Sequence, residues 1–408
     1  MTTDADLLAR ARALDSGDPL APYRDRFAPA PGVEAYLDGN SLGRPLRRTS
    51  EDLDRLVSGA WGTGLIRSWD AGWMDLPLTL GDRIGRVCLG AATGQTVVAD
   101  STTVLLYKLV RAAVAARPDR TEIVIETANF PTDRFVVEGI AAETGRTVRW
   151  LEADPVHGVG VDDLAGVVTE DTALVVLGHV DYRSAAVADM AALTAAVHAQ
   201  GALVLWDLCH SVGVVSLDLD ACGVDLAVGC TYKYLNGGPG APAFAYVAAV
   251  HQGRLRQPVQ GWMGARDVFG MRETYEPAED LRQFISGTPP VLAMTPMAGM
   301  LDLLEDAGMP VVQEKARSLT DLVVEVFDAR MAPVGARLAS PREAARRGGH
   351  VTVVHPGARA AVSRLWEAGV VPDFRSPDGI RLGLSPLSTS HVEAVEGALA
   401  VARELAAG

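Results

Sequence analysis

Short apolar runs alternate with longer amphipathic stretches through the middle of the chain, from residue 97 to residue 250. Continuous apolar runs of a few residues predict buried strands, and apolar positions spaced by three and four predict helices. The predicted strands are 97–99, 122–126, 147–151, 173–177, 202–206 and 224–228, followed by an apolar run that ends at 247. The predicted helices are 102–115, 132–144 and 189–200. This alternation predicts an α/β fold with a mainly parallel sheet and right-handed crossovers.

The regions on either side of this core follow a different pattern. The N-terminal region predicts a helix at 4–15, a short strand at 36–37 and a helix from about 45 toward 61. The pair Pro289-Pro290 interrupts regular structure and marks a boundary. Beyond it, the predicted elements are helices 294–307 and 311–330, strand 350–355, helix 359–367, strand 380–384 and helix 390–406. They predict a smaller α+β domain.

Composition narrows the class of protein. A chain of 408 residues is long enough for two domains. Its formal charge of -14 argues against a nucleic-acid or anionic-membrane partner, because phosphate binding needs a basic face. Four scattered cysteines predict free thiols rather than a disulfide framework or a zinc site. The N-terminus lacks signal-peptide features and no apolar run is long enough to cross a bilayer, so a cytoplasmic enzyme without a metal is expected.

Two residues on successive predicted strands suggest cofactor chemistry. Asp207 ends one strand, and Lys233 lies 26 residues later, just before the glycines of segment 237–240. Pyridoxal phosphate (PLP) requires a lysine for its covalent attachment and a carboxylate that faces its pyridinium nitrogen. A single lysine is more often a surface residue, and an aspartate at a strand end is more often a cap. The spacing alone therefore leaves both interpretations open.

A phosphate site is suggested at the start of the helix predicted at 102–115. Four consecutive polar residues, Asp100 to Thr103, precede and begin this helix. Free N–H groups and the positive end of the helix dipole favour an anion at such a place. A simple N-cap would need only one hydroxyl, so the run of four favours a ligand. Phe130, at the end of the next strand, could stack on a planar cofactor or pack in the core.

Several motifs resemble those of the kynureninase family, which are fold-type-I PLP enzymes of the class V aminotransferase group. The strongest are DLCHS at 207–211 and YKYLNGGPG at 232–240. Further matches occur in family order at YLDGNSLG 36–43, DSTT 100–103, FPTD 130–133, GW 261–262, GTPP 287–290 and Arg381. The resemblance implies a PLP-dependent transferase fold with a large domain, which has a mainly parallel seven-stranded sheet, and a smaller α+β domain. The implied divisions are an N-terminal segment 1–50 that joins the small domain, a large domain 51–290 and a C-terminal domain 291–408.

The resemblance also implies roles for individual residues. Lys233 would bind PLP covalently and act as a catalyst together with Tyr232 and Asp207, the partner of the pyridine nitrogen. The other implied cofactor-binding residues are Thr102, Thr103, Phe130, Asp133, His210, Trp262 and Thr288. The implied substrate-binding residues are Ser41, Trp61 and Arg381. Trp262 and Thr288 would reach the phosphate from a neighbouring subunit, so a homodimer with shared active sites is expected.

The implied reaction is hydrolytic cleavage of the Cβ–Cγ bond of L-kynurenine, or of a ring-substituted kynurenine such as 3-hydroxykynurenine, to an anthranilate and L-alanine. Four positions depart from the family pattern, and they are Leu105, Met263, Ala265 and Ser388. These departures suggest the hypothesis that the preferred substrate is a modified kynurenine. Two alternatives remain open at this stage: another class V activity, such as a desulfurase or a transaminase, and a binding protein without catalysis.

Overall fold

The computed structural model describes residues 2–407, which contain twelve strands and ten α-helices. In chain order the strands are β1 Ala35–Leu37, β2 Thr96–Ala99, β3 Glu122–Glu126, β4 Thr147–Leu151, β5 Thr172–Gly178, β6 Leu203–Asp207, β7 Leu226–Gly229, β8 Ala243–Val247, β9 Arg337–Leu338, β10 His350–Val354, β11 Val370–Arg375 and β12 Gly379–Gly383. The helices are α1 Asp4–Ser16, α2 Thr49–Arg55, α3 Leu76–Ile84, α4 Thr102–Ala115, α5 Pro131–Thr144, α6 Met190–Ala199, α7 Val291–Ala307, α8 Met309–Val326, α9 Ala358–Glu367 and α10 His391–Ala407. Within these residues, no helix combines the length and the apolar character needed to span a membrane.

Seven strands form the central sheet in the order β2-β8-β7-β6-β5-β3-β4. Neighbours from β7 to β4 are parallel, and β8 is antiparallel to both β2 and β7. Because β3, β5, β6 and β7 run in one direction, their carboxyl ends meet at the same edge, where open α/β sheets bind ligands. The predicted α/β fold with a mainly parallel sheet is confirmed.

A second sheet has five strands in the order β1-β11-β12-β10-β9. The strand β1 pairs in parallel with β11, so the N-terminal segment contributes to a sheet formed mainly by C-terminal strands. Leu7 of α1 and Leu37 of β1 also share one apolar cluster with Leu382 of β12. These contacts support the proposal that segment 1–50 joins the small domain. Met1, the first residue of this segment, and Gly408, the last residue of the proposed domain 291–408, lie outside the described residues.

A buried ion pair anchors the N-terminal segment to helix α8. Lys315 Nζ lies 2.7 Å from Asp18 Oδ2, and both side chains are almost fully buried. Nearby, Asp15 accepts hydrogen bonds from the backbone and ring of His391 at the start of α10. Removing one partner of a buried pair typically costs about 3–5 kcal/mol, because the remaining charge is left uncompensated. The pair therefore fixes the N-terminal segment to α8.

Three local features differ from the sequence-based expectation. The helix expected over 45–61 begins only at Thr49 and continues from Leu56 to Gly64 as π-helical turns. The helix α3 and the strand β11 were not predicted. Pro372 interrupts the apolar pattern of β11, which nevertheless fits between β1 and β12 in the small sheet. Prolines are rare inside sheets, so the sequence pattern argued against a strand at this place.

Candidate active site

The carboxyl ends of β3, β6 and β7 bring the predicted cofactor residues to one edge of the central sheet. Asp207 is the last residue of β6, and His210 lies in the turn that follows. Lys233 lies in the loop after β7, and its Nζ is 3.2 Å from His210 Nε2. Both side chains are buried. A reactive amine beside an imidazole is therefore enclosed at this edge.

A rigid loop holds Lys233 in place. Asn236 has a positive φ of 50° and donates its side-chain N–H to the Arg44 carbonyl at 2.7 Å. A Cβ atom on Gly237 would lie only 2.9 Å from the Ala241 Cβ and 3.0 Å from the Thr231 carbonyl oxygen. The absence of a side chain at Gly237 is thus required by close packing of the loop against itself. This packing fixes where the lysine backbone lies relative to the sheet.

The buried carboxyl group of Asp133 lies near that of Asp207, and the two interact electrostatically. Burial raises the pKa of Asp133 well above its usual range, and the charge of Asp207 raises it further. Since burial and the nearby charge both favour the neutral form, Asp133 is the protonated member of the pair and can act as a donor. Asp207 Oδ1 also accepts the N–H of Cys209 at 2.7 Å. The arrangement fixes Asp207 as an oriented acceptor.

His210 is held in its neutral form. Burial lowers its pKa well below the usual range, and the positive charges of Lys233 and Arg381 lower it further. A neutral imidazole nitrogen can accept a hydrogen bond from the lysine amine. The ring centroid of His350 lies 5.9 Å from that of His210, with the two rings tilted by 58°, and the pKa of His350 is lowered for the same main reason, burial. The two histidines therefore add no positive charge beside Lys233.

The N-terminus of α4 faces the same edge. The Ser101 side chain caps the helix by accepting the Val104 N–H at 3.4 Å, which leaves the first backbone N–H groups of the helix available. Thr102 Oγ1 lies 4.0 Å from Cys209 Sγ, so this threonine is beside the turn after β6. Helix N-termini of this kind are ready anion sites. Ser101 is thus the N-cap of α4.

Arg381 and Ser41, two predicted substrate residues, are in direct contact. Arg381 on β12 is fully buried, and its Nη2 donates to Ser41 Oγ at 3.0 Å. Its Nε donates to Asp373 Oδ2 at 2.7 Å, and its Nη1 donates to the Tyr182 carbonyl at 2.6 Å. The guanidinium is thus oriented by three groups. The positive charge of Arg381 lowers the pKa of His210, so the guanidinium lies near the histidine that contacts Lys233.

Trp61, Trp262 and Thr288 lie elsewhere on the same subunit. Trp61 lines an apolar surface cavity of about 380 Å³ together with Trp69, Trp73 and the segment 289–293. Trp262 is 45% exposed and makes an edge-to-face contact with Phe269 at 6.3 Å. Thr288 lines a separate cavity that also includes Asp100. Thr288 therefore lies near the segment that leads into α4, whereas Trp61 and Trp262 are exposed at the surface.

The residues at the sheet edge fit PLP. A buried lysine is available for covalent attachment, and the protonated Asp133 leaves Asp207 as a carboxylate partner for a ring nitrogen. The N-terminus of α4 suits a phosphate group. Phe130 stands at the start of α5, with its ring edge-to-face against Tyr182 at 5.2 Å. Each part of the cofactor thus has a matching group on this chain.

Sequence reasoning missed several buried polar groups near this site. Glu126 at the end of β3 has a pKa raised to about 8, mainly by burial and then by the charge of Asp181. Lys108 is completely buried inside α4. A simple count could have drawn attention to Lys108, because the chain contains only three lysines, Lys108, Lys233 and Lys315. All three are buried.

The fold and these residues define a fold-type-I PLP-dependent enzyme. Solved structures with this fold include a complex of the cystine C–S lyase C-DES with cysteine persulfide (TM-score 0.79, 18% identity, covering 90% of this chain and 97% of that one). Another is the cysteine desulfurase CsdA from Escherichia coli (TM-score 0.78, 18% identity, covering 95% and 98%). At such identities the likeness shows the fold.

Sequence similarity gives the family. Residues 312–401 match the family model described as the kynureninase C-terminal domain. The kynureninase of Pseudomonas fluorescens is 41% identical over 401 residues, covering 96% of this chain and 93% of that protein. The kynureninase of Burkholderia pseudomallei (strain 1106a) is 40% identical over 389 residues, covering 94% and 92%. The chain belongs to the kynureninase family, and the prediction made from its motifs is confirmed.

Proposed function

We propose that this protein hydrolyses the Cβ–Cγ bond of L-kynurenine, or of a ring-substituted kynurenine, to an anthranilate and L-alanine. The observation that carries the proposal is about 40% identity to kynureninases over nearly the whole chain. Lys233, Asp207 and Arg381 belong to the motifs that resemble this family. A role in tryptophan catabolism through the kynurenine pathway, and a cytoplasmic location, belong to the same proposal. A desulfurase activity has only fold-level support.

The residues of the site divide the work of this reaction. Bound PLP supplies an electron sink for negative charge that develops on the substrate. Asp207, oriented by Asp133, holds the ring-nitrogen proton. The Lys233 amine carries a proton to and from the substrate Cα, and neutral His210 accepts a hydrogen bond from that amine at 3.2 Å. Proton transfer by positioned groups of this kind contributes about 100- to 10,000-fold to rates.

Tyr232 is the proposed proton donor in the later part of the reaction. Its ring centroid is 5.9 Å from Lys233 Nζ. Burial is the main reason that its pKa is raised well above the usual value for tyrosine. The phenol therefore remains protonated at neutral pH, as a donor to a carbanion must be. Arg381 and Ser41 are proposed to hold the substrate α-carboxylate through hydrogen bonds that fix its orientation.

A ring-substituted substrate is the finer hypothesis, and the four departures bear on it. Leu105 and Met263 are buried in one apolar core cluster, so their side chains serve packing. Ser388 is buried, and its Oγ has no hydrogen-bond partner among the described residues. A serine is much smaller than the tyrosine that is usual at this position. The hypothesis of a larger or more polar aromatic ring therefore depends on Ser388 more than on the other departures.

The test is a substrate panel with purified holoenzyme. We expect equimolar alanine and an aromatic amine from kynurenine, 3-hydroxykynurenine and ring-methylated kynurenines, followed by fluorescence and by alanine assay. A higher kcat/KM for a substituted ring supports the finer hypothesis, and equal or better use of unsubstituted kynurenine contradicts it. Sulfide release from cysteine, or accumulation of pyridoxamine phosphate with a keto acid, without C–C cleavage would contradict the proposed function itself.

We also propose that the protein is a homodimer in which Trp262 and Thr288 of each subunit reach the cofactor phosphate of the other. Large apolar side chains on the surface support this proposal. They include Leu65, Ile66, Trp262, Phe269 and Met271, each more than 40% exposed. Such side chains rarely remain exposed in numbers unless another chain covers them. The surface formed by these exposed apolar side chains is the proposed dimer contact.

Mixing two inactive variants should test the shared site. If Lys233 and Thr288 of one subunit bind the two different PLP molecules of the dimer, a heterodimer of Lys233→Ala with Thr288→Ala contains one intact site. Random reassociation should then restore about one quarter of the sites, because half of the dimers are mixed. Titration of trapped sites and sedimentation measure the outcome. A mixture that stays as inactive as its parents, although mixed dimers are present, would place both residues in one subunit's site.

A further inference from the structure

Lysine is almost absent from this chain, and each lysine that it contains is buried. Of its 37 basic residues, three are lysines and the other 34 are arginines. Lys233 is the proposed cofactor lysine, and Lys315 pairs with Asp18. Lys108 is 0% exposed, although a charged side chain is almost never fully buried without partners. Its partners therefore indicate what a lysine at this position does.

Lys108 lies in α4 and uses all three of its N–H donors. Its Nζ lies 2.6 Å from Asp100 Oδ2, 2.5 Å from the Phe284 carbonyl oxygen and 2.5 Å from Ser286 Oγ. Ser286 Oγ in turn donates to Asp100 Oδ2 at 3.2 Å. Three acceptors converge on one nitrogen, which matches a compact ammonium group. The planar fork of an arginine could not place its donors at a single point.

One partner, Asp100, controls the start of helix α4. It connects β2 to the helix cap at Ser101, and its φ of 43° lies in the left-handed region that few residues other than glycine adopt. Its carbonyl accepts the Ala243 N–H at 3.1 Å. The backbone strain at Asp100 needs compensating contacts. The salt bridge to Lys108 supplies one such contact. It thereby fixes the position of Thr102 and Thr103 in the first turn of α4.

The other partner, Ser286, joins two surface segments. A Cβ atom on Gly261 would lie 1.8 Å from the Ser286 carbonyl oxygen, so the 261–262 segment packs directly on the backbone of Ser286. Thr288 follows two residues later. Asp100, Ser286 and Thr288 line one cavity of about 360 Å³, which Gly240 also lines. The Lys108 ammonium therefore connects the start of α4 with the segments that carry Trp262 and Thr288.

We propose that Lys108 is a positioning residue for cofactor phosphate binding. It holds the N-terminus of α4 at a fixed distance from the 261–262 and 286–288 segments. In this way it links the phosphate site of its own subunit to Trp262 and Thr288, which are proposed to bind the phosphate in the neighbouring subunit. This inference rests on the proposed function, in which Thr102, Thr103, Trp262 and Thr288 bind phosphate. Lys108 itself does not contact the cofactor.

The first test compares Lys108→Met with Lys315→Met, since each variant removes a buried lysine that pairs with an aspartate. Holoenzyme is diluted into buffer that contains a PLP scavenger, and loss of cofactor absorbance gives the dissociation rate. We expect PLP to leave Lys108→Met at least about tenfold faster than the unchanged protein, while Lys315→Met retains it. Equal retention by all three proteins would overturn the proposal, as would equal loss from both variants.

Two further variants separate positioning from the burial of an unpaired charge. In Lys108→Met/Asp100→Asn no lone carboxylate remains, so thermal stability should recover while PLP still dissociates fast. Recovery of normal PLP retention in the double variant would contradict a positioning role. Ser286→Ala keeps the ion pair and only removes a hydroxyl, so it should fold normally. It should release PLP faster than the unchanged protein, and unchanged release would also count against the proposal.

A control on the phosphate assignment keeps the two proposals distinct. The variant Thr102→Val/Thr103→Val removes both proposed phosphate hydroxyls. If it retains PLP as well as the unchanged protein, the phosphate assignment in the proposed function is wrong. If it loses PLP while Lys108→Met and Ser286→Ala do not, the phosphate assignment stands and only the role of Lys108 is rejected.

Discussion

Replacing Lys233 by alanine should lower kcat for kynurenine cleavage by about 10,000-fold or more, while the protein stays folded. The expectation follows from the position of the amine, 3.2 Å from neutral His210 and at the carboxyl edge of the parallel sheet. No other lysine can replace it. Lys108 and Lys315 are each buried and paired with an aspartate. The variant therefore loses both the covalent attachment of the cofactor and the carrier of the Cα proton.

The small number of lysines makes this prediction easy to check. Borohydride reduction followed by peptide mass spectrometry should find cofactor mass on one peptide, the one that contains Lys233. The same adduct should appear in Lys315→Met, the matched control, and be missing from Lys233→Ala. Turnover within tenfold of the unchanged protein, or an adduct on Lys108 or Lys315, would contradict the assignment of Lys233.

The core of the fold was predictable because the central strands are continuous apolar runs. In β5, the residues from Thr172 to Leu177 are all buried, since helices cover both faces of a parallel sheet. The segment 56–64 was not predictable in this way. Its turns depend on close approaches at glycines, such as the 2.7 Å that would separate a Cβ on Gly62 from the Val57 carbonyl oxygen. Local periodicity does not encode contacts of this kind.

The candidate site was predictable where its residues stand together in motifs. Lys233 and Tyr232 are neighbours in sequence, and Asp207 and His210 share one turn. Asp133 lies on helix α5 and Asp207 at the end of β6, so only the folded chain reveals that the two carboxyl groups interact. Lys108 was missed for the same reason, because its partners Phe284 and Ser286 lie far along the chain.

The raised pKa of Asp133 beside Asp207 leads to the second large prediction, a contrast between two conservative substitutions. Asp207→Asn should lower kcat by about 1,000-fold, because an amide cannot balance positive charge on the ring nitrogen of bound PLP. Losing one preorganised electrostatic partner typically costs 100- to 1,000-fold in rate, with about 3–4 kcal/mol lost in the transition state. The backbone should be little disturbed, since an asparagine oxygen can still accept the Cys209 N–H.

Asp133→Asn should lower kcat by less than about tenfold. Burial and the charge of Asp207 raise the pKa of Asp133, so the residue is a neutral donor at pH 7. An asparagine at this position is also a neutral donor of similar shape, and a neutral hydrogen bond contributes only about 0.5–1.5 kcal/mol. Asp133→Ala, which removes the donor, should be worse than Asp133→Asn.

Steady-state kinetics and the absorbance spectrum of the bound cofactor against pH measure this contrast. In Asp133→Asn the spectrum should titrate as in the unchanged protein, because Asp207 keeps its charge and its orientation. In Asp207→Asn it should change even where PLP is fully bound. If the two asparagine variants were equally impaired, Asp133 would have to act as a carboxylate. The proton would then lie on Asp207, which would reverse the roles assigned to the pair.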